Sequence, residues 1–96
     1  MKRSVQALKH KTGKQNIVGE RIRIARQRQN PPWTMEHLSV MLEEREGLDM
    51  SVSTIGRIES GTRSVYDYEI IAFAQVFNVD LKWLLNIDKN ELVFVS

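Results

Sequence analysis

Ser51–Gly61 reads SVSTIGRIESG, and this stretch decides the fold. Ser51 is placed to cap a helix, its hydroxyl accepting from a free amide near Thr54. Met50 and Ile55 bracket the entry as a hydrophobic staple. Ile55 and Ile58 form one inward seam, and Gly61 suits a left-handed stop. The other face holds Val52, Ser53, Gly56, Arg57 and Ser60, small side chains around one long cation. So short a helix, with a single apolar seam, does not hold its shape alone. Flanking helices must support it, and what it turns outward bears on function.

Toward the N-terminus, Thr34 caps a preceding helix, with Trp33 and Leu38 as its staple. Leu38, Met41 and Leu42 make its core face, and Glu36 in the first turn suits the helix dipole. Glu43, Glu44, Arg45 and Glu46 extend it with a charged, exposed turn; Gly47 then breaks the helix, and Leu48-Asp49-Met50 leads into Ser51. Earlier still, Asn16 caps a first helix running to about Gln29, with Val18, Ile22 and Ala25 recurring at helical spacing. Asn30-Pro31-Pro32 ends it, because proline lacks a donor and disfavours a helical residue before it.

Toward the C-terminus, Thr62-Arg63-Ser64-Val65 is a polar loop, and Tyr66 or Asp67 opens a fourth helix to about Phe77. Tyr68, Ile71, Ala72 and Val76 fall on one side of it, and Ile70, Phe73, Ala74 and Phe77 on the other. A helix apolar most of the way round is expected at the buried centre of a bundle. Asp80 caps a fifth helix, with Val79 and Leu84 as staple and Leu81, Trp83, Leu84 and Leu85 as its apolar content. The pattern predicts three regions: a flexible basic arm (1–15), a helical domain (16–88) and a short tail (89–96). Within the tail, ELVFVS is β-prone, able to pair across a dimer or fold back on the bundle.

The 96 residues suffice for one small domain. The chain has no cysteine, which excludes a disulfide framework or a thiolate metal site. No signal peptide or membrane-length apolar run is visible, so neither secretion nor a membrane is expected. Net charge is +2, but unevenly spread: residues 1–30 hold nine Lys/Arg against one acid. Attraction to a polyanion and simple solubility both account for residues 1–15. The Glu43, Glu44 and Glu46 cluster has no cleft to desolvate it and reads as a solvated face. With no phosphate-cradling glycine loop, nucleophile elbow or zinc-ligand spacing, no enzyme, cofactor or metal is expected.

The order of these elements resembles the Cro and phage-repressor type of helix-turn-helix protein, the XRE family. The similarity runs through VGERIRIAR (18–26), WTMEHLSVML (33–42), SVSTIGRIESG (51–61) and VYDYEIIAFAQVFNVDLKWLLN (65–86). It implies an all-α, lambda-repressor-like bundle of five helices, with an extended turn between helices two and three. It implies a cytoplasmic, nucleoid-associated transcriptional regulator, acting as a homodimer on double-stranded DNA. Helix 52–60 would enter the major groove, with Val52, Ser53 and Arg57 meeting base edges. Thr34, Met35, Ser60, Thr62, Arg63 and Ser64 would lie along phosphates, and Arg26 and Glu59 would form a structural ion pair. The family usually has glutamine where Met35 stands, and often Gln or Arg at Val52. A protein-interaction module that keeps the fold without reading DNA is the rival, and the C-terminal tail could serve a protein partner.

Overall fold

The computed structural model describes residues 13–87. Expectations for residues 1–12 of the arm and for the segment 89–96 lie outside them. Five helices follow in order: α1 (Gly19–Gln27), α2 (Met35–Glu46), α3 (Val52–Ser60), α4 (Asp67–Phe77) and α5 (Leu81–Leu84). They make a compact all-helical body, with no strand among the described residues.

Local chemistry sets the boundaries. Thr34 Oγ1 accepts from His37 N, and Ser51 Oγ accepts from Thr54 N at 3.1 Å. Gly47 and Gly61 close α2 and α3 with φ of 66° and 84°, a region where a Cβ is penalised. Asp80 Oδ1 accepts from Lys82 N and opens α5. Asn16 acts at a distance: its Oδ1 accepts from Val18 N and Gly19 N, so α1 begins at Gly19, with the capping side chain three residues ahead.

The core is Val18, Ile22 and Ala25 from α1, Leu38 and Leu42 from α2, Ile55 and Ile58 from α3, the inner face of α4, and Leu84. Met50 fills the approach to α3, and its carbonyl accepts from Ser39 Oγ at 2.6 Å, which ties α2 to that approach. Trp33 and Trp83 are partly buried against the core. The Trp33 ring lies 5.7 Å from Phe77 and meets the edge of exposed His37 at 4.9 Å. Arg21 sits 4.8 Å over Trp83 and donates to its carbonyl, joining α1 to α5.

As expected, α2 continues through the charged turn at 43–46 until Gly47 stops it, and residues 47–51 link it to α3. Helix-forming Glu and Arg side chains can continue outward because no core contact is required of them. Two expectations need correction. The fourth helix is not enclosed: Tyr68 and Ile71 are 58% and 48% exposed, so its outer face is apolar and bare. The fifth helix is one short turn, and Leu81, counted among its apolar content, is exposed.

Helix α1 meets α3 very closely. Gly19 is buried, and a Cβ there would overlap the backbone carbonyl oxygen of Ile58. Asn16 Nδ2 reaches across the same junction to the carbonyls of Ile58 (3.0 Å) and Arg63 (2.8 Å). Beside it, Arg26 Nε and Nη2 grip both oxygens of Glu59 at 2.8 and 2.9 Å, and Nη1 donates to the Trp33 carbonyl. Glu59 is only 5% exposed. The hydrogen bond to Glu59 raises the Arg26 pKa further above its ordinary value, while burial opposes that rise. The pair joins α1, α3 and the turn before α2, so it is part of the frame.

Candidate nucleic-acid interface

Helix α3 turns a narrow polar strip to solvent. At about 100° per residue, Ser53, Arg57 and Ser60 fall within roughly 60° of one another. All three are exposed, while Ile55, Ile58 and Glu59 are buried on the other side. Val52, in the first position of the helix, is half-buried and stands about 140° around the axis from Arg57. The three residues expected at base edges are therefore uncovered to different degrees, and Val52 lies on the flank of the strip.

Arg57 is the centre of the strip. Its Nη1 donates to Ser53 Oγ, one turn back, at 3.2 Å. Its carbonyl accepts from Thr62 N at 2.9 Å, from Ser60 Oγ at 3.1 Å and from Thr62 Oγ1 at 3.3 Å. Ser60 and Thr62 are thus engaged with the end of their own helix, satisfying carbonyls that a helix C-terminus leaves open. Both remain exposed.

The first turn of α2 adjoins this strip. A Cβ built on Gly56 would find only Met35 Sδ, at 3.9 Å, which is ordinary contact. Close approach of the second helix therefore does not account for a glycine here. Glycine in a helix interior costs about 1 kcal/mol relative to alanine. Gly56→Ala is expected to raise the stability of the free protein by about 0.5–1 kcal/mol, read from the urea midpoint. A lower midpoint would mean that α2 cannot accommodate the methyl. If a DNA backbone lies against Gly56, the same variant will lose affinity as it gains stability.

Arg63, expected at a phosphate, is engaged within the protein. Its Nη1 and Nη2 meet Glu69 Oε1 and Oε2 at 3.0 and 3.3 Å, and Nη1 also donates to the Ser64 carbonyl. The hydrogen bond to Glu69 raises the Arg63 pKa above its usual value, against the effect of burial. Glu69, 5% exposed, also accepts from Tyr66 N at 2.9 Å, so it starts α4 and neutralises Arg63 at once. Of the remaining expected phosphate contacts, Thr34 and Ser64 are exposed and Met35 is half-buried.

Sequence inspection missed Glu69 as the partner of Arg63. A glutamate three residues into a helix is a known cap for its entry, and that was the available signal. Lys14 carries no sequence signal of its own, yet its Nζ lies 3.5 Å from the Ser60 carbonyl, at the C-terminal end of α3. Among the described residues, no group of acidic or histidine side chains could hold a metal ion, and no helix is long and apolar enough to cross a membrane. No family model, curated protein or solved structure matches the chain.

Proposed function

We propose that the protein is a sequence-specific DNA-binding regulator of the lambda-repressor-like helix-turn-helix type, with α3 in the major groove. It acts as a homodimer on a near-palindromic site, its two α3 helices about 34 Å apart. The supporting observation is the state of three guanidinium groups. Arg26 spends its Nε–Nη2 edge on Glu59, and Arg63 spends Nη1 and Nη2 on Glu69. Arg57 is exposed, has no acidic partner among the described residues, and keeps its Nε–Nη2 edge free. That edge has the donor geometry that pairs with guanine O6 and N7.

Arg57→Ala is expected to remove about 1–3 kcal/mol of discrimination at one base pair, measured by binding to a site selected from random DNA and to its single-base variants. Equal binding by parent and variant across that series would overturn the role of Arg57. The parent should bind with affinity that falls steeply as salt rises and with a clear preference among sequences.

One observation favours the rival. The described residues carry nine Lys/Arg against ten Asp/Glu, so this body is not basic. It also bares Tyr66, Tyr68, Ile71 and Leu81, beside a groove lined by Ile71, Ala74, Gln75 and Val79. Uncharged surface with exposed tyrosines suits a protein partner. Weak binding that ignores sequence would favour an interaction module.

A further inference from the structure

Among the side chains expected on DNA, Ser53, Ser60 and Thr62 all bond to Arg57. Their bonds fall at its two ends. Ser53 takes one guanidinium hydrogen, while Ser60 and Thr62 hold the main-chain carbonyl. We infer that Ser53 is a positioning residue: its hydroxyl folds the Arg57 side chain back along α3 and aims its free edge, rather than touching a base itself. This rests on the DNA-binding proposal above and deepens it, since it assigns sequence preference to a two-residue unit.

The chemistry of arginine gives the unit its purpose. A long side chain on an exposed helix face samples many rotamers, and binding must freeze one of them. A hydrogen bond already present in the free protein removes part of that cost and narrows the directions the fork can take. The guanidinium has five N–H donors, and one bond from Nη1 to Ser53 leaves Nε and Nη2 unspent. Arg26 shows on this same fold what that edge does when it meets a planar pair of acceptors, binding both oxygens of Glu59. Arg57 presents the same edge to solvent, at a site where guanine would offer two acceptors. Main-chain anchoring by Ser60 and Thr62 keeps the last turn of α3 from fraying under it.

The test uses the full chain and its Ser53→Ala, Ser53→Thr, Arg57→Ala and double variants. In the free protein, nitrogen relaxation at Arg57 Nε should report greater fast motion in Ser53→Ala than in the parent, with Ser53→Thr restoring order. Unchanged Arg57 order in Ser53→Ala overturns the inference whether or not the protein binds DNA. Base preference is then profiled with random duplex DNA. Ser53→Ala should weaken preference about two- to tenfold at the base pair that Arg57→Ala affects, and nowhere else. The double variant should match Arg57→Ala alone, because the hydroxyl acts through the guanidinium. Independent, multiplying effects, or a changed preference at another base pair, would overturn the inference by making Ser53 a reader in its own right. A parent protein with no base preference would overturn the DNA-binding proposal itself, and with it the assignment of specificity to this pair.

Discussion

Glu59→Ala is expected to cost the fold about 3–5 kcal/mol. The alanine removes both acceptors of a two-pronged bond and leaves the Arg26 guanidinium, whose side chain is only 12% exposed, without its counter-charge. An intact buried pair contributes little net stability, because desolvation offsets attraction; a broken one leaves an uncompensated charge. A domain of this size has about 5–15 kcal/mol in total, so the variant should be largely unfolded at modest urea. Replacing Arg26 and Glu59 together by methionine should recover much of the loss. Recovery should be incomplete, because the Trp33 carbonyl loses its donor as well. A drop below about 1 kcal/mol for Glu59→Ala would show that water reaches the carboxylate, and that other contacts hold α1 to α3.

Gly19→Ala should come second. One methyl group at this position runs into the Ile58 carbonyl oxygen, which belongs to a helix backbone and cannot rotate aside. Relief requires α1 to shift away from α3, and such overpacking costs about 1–3 kcal/mol, at times more. A shift would also stretch the Asn16 bonds to Gly19 N and to the Ile58 carbonyl. Alanine is the better helix former, which recovers at most about 1 kcal/mol. Urea denaturation of the variant should therefore show a lowered midpoint with an unchanged slope. A stabilised variant would mean that the two helices approach less closely. Gly19 and Glu59 lie on one interface, so the two substitutions together should cost less than the sum of their separate effects.

These expectations separate what a sequence reveals from what it hides. The caps at Thr34 and Ser51 and the glycine stops at Gly47 and Gly61 were legible, because each depends on bonds a few residues long. The core stripe of Val18, Ile22 and Ala25 was legible from its period. The closeness of Gly19 to Ile58 was not, since a glycine near a helix start has several local explanations and the contact spans 39 positions. The same holds for Asn16, which reads as a simple cap but also binds two carbonyls on the far side of the junction. Helix α4 misled for another reason. Apolar residues all round a helix say that every face wants cover, but not that this chain supplies it. Tyr68 and Ile71 are left bare. In the candidate interface, the outward strip of α3 followed from helical spacing. The internal engagement of Ser53, Ser60, Thr62 and Arg63 did not, because rotamers and partners from other helices decide it.

The pinning of Gln15 N to the Gly61 carbonyl, at 2.8 Å, has a practical bearing on handling the molecule. The described chain therefore enters beside the C-terminal end of α3 and leaves at Ile87 after α5, which packs on α1 and α4. A fluorophore carried on exposed Gln15 would therefore report on the last turn of α3, next to Thr62. The same label on exposed Lys82 would start from an element that packs on α1 and α4.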